Sequence, residues 1–315
     1  MAHLLDESAR GVYTIAATPF TDAGEVDWAS VDSLVDFYLG HGVHGMTILG
    51  ILGEAHKLSD DESAGLVQRF LRRVDGKIPV IVGVSSPGMR KLAHLSKIAM
   101  EAGAAGVMVA PLNGTKTDDA VVGYFGSVVA ALGTGIPIAL QDHPQVVNTD
   151  IGVPALLKIL EDHPSIVMLK HEDCPGLRKL SAVRRAFDGK VRRRISILVG
   201  NGGLYAPQEL RRGADGMMTG FSYPEMLVRT FELFAAGEPE AAEDVFDAYL
   251  PLVRHEQQIG VGLAIRKEIL RRRGAIASAA TRAPGPRLDA DDHAELTGLM
   301  ARLEGRLAGV PQLVR

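Results

Sequence analysis

Eight short apolar runs punctuate the first two-thirds of the chain: GVYTIAAT (11–18), GMTILG (45–50), PVIVGV (79–84), GVMVAP (106–111), PIALQD (137–142), IVMLKH (166–171), SILVGNG (196–202) and GMMTGF (216–221). Each is continuous rather than alternating in polarity, the pattern of parallel strands buried on both faces. Their starts lie roughly 20 to 35 residues apart, the length of one strand–helix unit. The segments between them read as helices. Trp28, Val31, Leu34, Val35 and Tyr38 fall on one face at helical spacing. Ser59 followed by Glu62 is a capping-box pattern, and 88–102 runs without a breaker to Gly103. Eight strands with seven helical links and one further helix predict an α/β fold, the (β/α)8 TIM barrel. A doubly wound sheet would place a glycine-rich turn after its first strand. Here that strand ends Thr18-Pro19-Phe20.

Beyond residue 224 the strand pattern stops. Segments 225–236, 240–257, 258–273 and 290–307 read as helices, with the loop RAPGPRLDA before the last. The expected organisation is a barrel core over 1–224, then a barrel-closing helix and a C-terminal helical appendage over 225–315. With 46% hydrophobic residues and a mean hydropathy of +0.10, the chain can fill such a core. A net charge of −4 supplies no global field to attract nucleic acid. The basic runs Arg192-Arg193-Arg194, Arg266-Lys267 and Arg271-Arg272-Arg273 lack interleaved aromatics and read as solvated faces. One cysteine, Cys174, excludes an internal disulfide framework and suits a reducing cytoplasm. The opening MAHLLDESAR has acids and no long apolar centre, so it does not read as a signal peptide. No stretch reaches the roughly 20 apolar residues of a membrane span. The expectation is a cytoplasmic protein with neither nucleic acid nor membrane as partner.

In a barrel of this kind the active site lies at the carboxyl ends of the strands. The sixth run closes on Lys170. Burial disfavours a charged amine, and a neutral amine can attack a ketone to form a Schiff base that serves as an electron sink. The plainer reading is a structural lysine paired with Asp142 or Glu172. The second run enters GILGE (50–54), whose glycines let backbone N–H groups approach a carboxylate; a tight strand-to-helix turn is the plainer account. Asp142 and His143 could also face His171, Glu172 and Asp173 to hold a divalent metal. No close ligand spacing supports that arrangement, so no metal and no other cofactor is expected. GNGG (200–203) reads as a turn before it reads as a phosphate grip.

Taken together, ATPF (17–20), the G-x-x-G-E loop from Gly50 to Glu54, the LS pair (58–59), the strand-six lysine and the helical tail resemble the dihydrodipicolinate synthase / N-acetylneuraminate lyase family over roughly residues 10–300. The resemblance implies a TIM barrel that forms a homo-oligomer, dimer or tetramer. It also implies a class I mechanism in which Lys170 condenses with pyruvate or a related 2-keto acid, with Thr18, Gly50, Ile51, Leu52, Gly53 and Met218 around the substrate. The chain departs from the family pattern at three places. Ile51 and Leu52 stand where the loop usually carries hydroxyl residues that relay protons. Gln141 stands in place of the strand-five tyrosine; its amide can position substrate but has no phenol chemistry. Val146 stands where the synthases place an arginine for a second carboxylate. These departures favour a lyase or aldolase with another 2-keto acid substrate, its proton moved by water, His143 or His171. A synthase with a rebuilt relay and a keto-acid-binding protein without turnover are the alternatives.

Overall fold

The structure, a computed structural model, describes residues 4–309 apart from 175 and 191. Eight parallel strands close into a barrel: β1 (Gly11–Ile15), β2 (Gly45–Ile48), β3 (Val80–Gly83), β4 (Gly106–Val109), β5 (Ile138–Asp142), β6 (Ile166–His171), β7 (Ser196–Val199) and β8 (Gly216–Thr219). β8 pairs back onto β1, with Met217 opposite Val12. The strands are shorter than the apolar runs. β1 ends at Ile15, and residues 16–18 continue outside the ladder. The connecting helices are α1 (Trp28–Gly40), α2 (Asp60–Val74), α3 (Met89–Glu101), α4 (Asp118–Leu132), the short α5 (Pro144–Val147), α6 (Val153–Asp162), α7 (Leu177–Ala186) and α8 (Ala206–Arg211). Then follow α9 (Pro224–Ala235), α10 (Pro239–Glu256), α11 (Gly262–Arg272) and α12 (Ala290–Gly309). This is the expected TIM barrel with a helical C-terminal region. Among the described residues no helix is long and apolar enough to cross a membrane.

Two apolar layers follow from strand alternation. Tyr13, Ile15, Ile81, Met108, Ala139, Met168, Leu198 and Met218 fill the lumen. Val12, Leu140, Leu169, Ile197 and Val199 pack outward against the helices. Between β5 and β6 the register slips: Ile138 pairs with Ile166, but Ala139 pairs with Met168. Val167 is therefore an extra residue, and a bulge of this kind re-aims the side chains that follow it. Ile166 belongs to the outer layer and Met168 to the lumen. From there the two-residue period turns Lys170 and Glu172 inward and Leu169 and His171 outward.

Three surface expectations are corrected. Trp28 shares a face with Val31, Leu34, Val35 and Tyr38, yet it is 41% exposed while the other four are buried. It sits in the first turn of α1, where its ring lies over Gly65 of α2 rather than in the core. The run Arg192-Arg193-Arg194 is not a uniform solvated face. Arg193 donates to the carbonyls of Leu160 and Ile166, both at 2.7 Å, and Arg194 pairs with Asp215. The second basic run departs further: Arg266 and Lys267 are buried. Arg266 Nε lies 2.8 Å from Glu256, and Arg273 bonds Glu225 at 2.6 Å while stacking over Tyr223. Carboxylates from other elements neutralise these cations, which is how a charge tolerates burial. The capping box of α2 forms as expected, with Glu62 N–H donating to Ser59 Oγ and Ser59 N–H to Glu62 Oε2.

Candidate active site

Lys170 is 4% exposed and lies at the carboxyl end of β6. Its Nζ is 3.1 Å from Glu172 Oε2. The same oxygen accepts a 2.7 Å hydrogen bond from the Gln141 amide and lies 3.4 Å from His143 Nδ1. Gln141 is the direct register partner of Lys170 across the β5–β6 ladder, so adjacent inward-facing positions build the cluster. Burial pushes the Glu172 carboxyl up, but Lys170, His143 and the Gln141 amide together hold it below the ordinary glutamate range. It is a carboxylate at neutral pH. Burial also lowers the His143 pKa, against the pull of Glu172, so its imidazole is neutral there. Glu172 rests on Gly200, where an added Cβ would come within 2.4 Å of its Cγ and Oε1. The Glu172 carbonyl accepts from Asn201 Nδ2 at 2.9 Å. The glycine after β7 thus makes room for the acid beside the lysine.

The GILGE loop rises at the end of β2, opposite this cluster. Leu49 and Glu54 flank it in left-handed conformation (φ 53° and 52°). Inside it Gly53 N–H bonds Gly50 O, and Glu54 N–H bonds Ile51 O, both at 3.0 Å. The N–H groups of Ile51 and Leu52 find no acceptor among the described residues. Two successive free N–H groups at a strand end form an anion-binding concavity. Leu52 packs on the lumen cluster, and Ile51 is 37% exposed at the rim. Thr18 Oγ1 donates to Gly53 O at 2.6 Å, tying the end of the first apolar run to the loop. Glu54 is fully buried and holds the loop from below. Its Oε1 accepts from Lys267 Nζ at 2.6 Å; its Oε2 accepts from Lys57 Nζ at 2.8 Å and from Arg282 N–H at 3.0 Å.

A family model described as the dihydrodipicolinate synthetase family matches residues 8–302. The chain belongs to that family. It is 32% identical over 308 residues to the L-2-keto-3-deoxyarabonate dehydratase of Azospirillum brasilense, covering 94% of each chain. It is 30% identical over 246 residues to the 4-hydroxy-tetrahydrodipicolinate synthase of Sorangium cellulosum, covering 77% of this chain and 79% of the other. The crystal structure of dihydrodipicolinate synthase from Rhodopseudomonas palustris superposes with a TM-score of 0.92 at 44% identity, over 95% of this chain and 99% of that one. Lyase-type chemistry follows at the level of the family.

Within this family member the inward set comprises Gln141, His143, Lys170 and Glu172. Glu172 enters the sequence reading only as a structural partner or metal ligand, although it lies two residues from Lys170 and so shares its face. His171 is turned the other way. It is fully buried behind β6, with Nε2 3.0 Å from Gly176 O and Nδ1 3.8 Å from Asp142 Oδ2. Asp142 is likewise outward and lies 2.7 Å from Lys179 Nζ. The set considered for a metal is therefore split between two faces of the barrel wall. Among the described residues no group of three or more His, Cys, Asp or Glu converges on an ion. Met218 lies in the lumen cluster. Val146, on α5, is half exposed at the rim. GNGG is a turn: Asn201, Gly202 and Gly203 all have positive φ (50°, 66° and 77°).

Proposed function

We propose that this protein is a class I lyase that dehydrates a 2-keto-3-deoxy sugar acid through a Schiff base on Lys170. The observation that carries the reading is the pair of Lys170 Nζ and Glu172 Oε2, 3.1 Å apart in the lumen, with Gln141 fixing the carboxylate. The likeness to a 2-keto-3-deoxyarabonate dehydratase over nearly the whole chain supports the substrate class.

The substrate carboxylate docks on the N–H groups of Ile51 and Leu52, which leaves C2 toward β6. Lys170 passes a proton to Glu172 and its amine adds to C2; Glu172 returns that proton to the carbinolamine hydroxyl, water leaves, and the charge that began on Lys170 ends on the iminium. Glu172, ionised and adjacent, removes a proton from C3 to form the enamine. The enamine electrons expel the C4 hydroxyl, to which Glu172 returns its proton, so water leaves and a C3=C4 bond forms. Hydrolysis of the remaining iminium frees Lys170. Glu172 occupies the acid–base role for which Gln141 has no titrating group, and neutral His143 beside it is a second proton acceptor. Gln141 orients Glu172 and transfers no proton. The same reading takes the protein as a cytoplasmic homo-oligomer, dimer or tetramer, in line with the family resemblance, and needs no metal or other cofactor.

A second reading has one observation in its favour. Glu172 is a buried lumen acid able to serve as the rebuilt relay of a synthase, and several relatives are synthases. Against it, Val146 offers no cation to a second substrate carboxylate. Borohydride with pyruvate, followed by peptide mass mapping, tests the core of both readings: a reduced adduct is expected on Lys170. No adduct with any 2-keto acid, or an adduct on another lysine, overturns the Schiff base. Assays with a 2-keto-3-deoxypentonate and with pyruvate plus aspartate semialdehyde then separate dehydratase from synthase.

A further inference from the structure

The mouth of the barrel is chemically divided. Ile51 and Leu52 line its β2 side, and Gln141, His143 and Glu172 its β5–β6 side. Beside the turn that follows β7 lies a residue from outside the barrel, Gln257, the first residue after α10. An added Cβ on Gly202 would meet Gln257 Nε2 at 2.0 Å and Cδ at 2.6 Å, so the Gln257 amide lies directly on the Gly202 backbone. Gly202 is two residues beyond Gly200, on which Glu172 rests. One turn therefore seats both side chains.

The position of Gln257 is built in. Glu256 before it is buried and fixed by Arg266 Nε at 2.8 Å and by Ser222 N–H at 3.3 Å. The connection to α11 folds back on itself: Gly262 N–H bonds Gln258 O at 3.0 Å, and a Cβ at Gly262 would meet Glu256 O at 2.3 Å. The neighbouring Gln258 amide is consumed by His255, bonding its carbonyl at 3.1 Å. The Gln257 amide is only partly buried and has no hydrogen-bond partner among the described residues. The backbone at Gln257 is thus anchored on both sides, and its amide, seated on the Gly202 turn, keeps two donors and an acceptor that a ligand could use.

We propose that Gln257 is a specificity contact for the distal hydroxyl groups of the substrate. This assignment rests on the Schiff-base reading above and extends it. With the carboxylate on the β2 side and C2 at Lys170, the chain beyond C4 runs toward β7. The Gln257 amide there can both donate to and accept from a hydroxyl. Pyruvate ends at C3 and does not reach it. The class of substrate assigned is a 2-keto acid hydroxylated beyond C4, which the apolar β2 side alone would not select.

The test compares Gln257→Met, which keeps the packing on Gly202, and Gln257→Ala with the parent enzyme. Two quantities are read: half-saturation of borohydride trapping by pyruvate, and kcat/KM for a 2-keto-3-deoxypentonate. Both variants should trap pyruvate on Lys170 within about two-fold of the parent. They should lose about two- to ten-fold in kcat/KM for the hydroxylated acid, the worth of one neutral hydrogen bond, with KM carrying the change. Parent-level kcat/KM in both variants overturns the assignment, as does an equal loss for pyruvate and the hydroxylated acid. Failure of the parent enzyme to trap either acid on Lys170 overturns the Schiff-base reading and this assignment together.

Discussion

The lumen at β6 and the seam between the GILGE loop and the C-terminal helices each bury a lysine against a glutamate, and they spend it differently. At the seam, Lys267 is fully buried, with Nζ donating to Glu54 at 2.6 Å and to Ala280 O at 2.8 Å while lying 4.4 Å from the Phe20 ring centroid. Its donors are consumed by fixed groups on three sides. In the lumen, Lys170 has one charged neighbour close by, Glu172 Oε2 at 3.1 Å, and no backbone carbonyl or second carboxylate takes its remaining donors among the described residues. Burial of a lysine is therefore no sign of catalysis by itself. What distinguishes the lysine we propose as catalytic is its unspent hydrogen-bonding capacity. Desolvation lowers the Lys267 pKa, and Glu54 opposes that shift, yet nothing can approach its nitrogen.

Exchanging each lysine for methionine should break the comparison most sharply. Lys170→Met should lose trapping altogether and turnover by on the order of 10⁴-fold or more, with a smaller change in melting temperature than the seam variant shows. Activity retained in that variant would remove Lys170 from the mechanism. Glu172→Gln should keep pyruvate trapping but lose roughly 10²–10⁴-fold in kcat. Because the Glu172 carboxyl is held below its ordinary range, the acid limb of the parent kcat profile should lie below pH 4.5 and be absent in the variant. Persistence of that limb would assign the proton step elsewhere. Lys267→Met should do the reverse of Lys170→Met. Stranding the buried Glu54 carboxylate without its main partner costs about 3–5 kcal/mol, read as a lowered unfolding midpoint, with trapping intact in the folded fraction. Lys267→Met with Glu54→Gln should recover part of the loss.

The smallest expected effect concerns Glu209 on α8, another buried carboxyl. Burial raises its pKa to about 7, with Glu172 adding to the rise and His171 opposing it. Between the ordinary glutamate value and pH 7 the folded state binds this proton and the unfolded state does not. Stability should therefore fall as pH rises through that window. Glu209→Gln should flatten the slope of melting temperature against pH between about 4.5 and 7, and an unchanged slope would show that other groups set it.

The barrel was legible because short runs such as PVIVGV and GVMVAP, apolar on both faces and bounded by glycine or proline, recur eight times between helical segments. Lys170 was legible as the one cation closing such a run. Its direction was not, since counting by twos from Ile166 turns it outward and only the extra residue at Val167 brings it into the lumen. The same count obscured the difference between His171 and Glu172. Arg266-Lys267 read as a surface because their carboxylates lie 10 and 213 residues away in sequence. Gln257 carried no local signal at all: its place over Gly202 is a product of tertiary folding.

The anchoring of Glu54 also has a temporal side. Its partners at Lys267 and Arg282 follow it by 213 and 228 residues. At ribosomal rates of roughly 5–20 residues per second, tens of seconds separate the emergence of the loop and its neighbour Lys57 from that of Lys267, the second cation on Glu54. Through that interval Glu54 has Lys57 beside it but lacks the buried cation and the backbone donor that complete its shell. The loop that we propose to hold the substrate carboxylate therefore reaches its final anchoring only after the helical tail has been made.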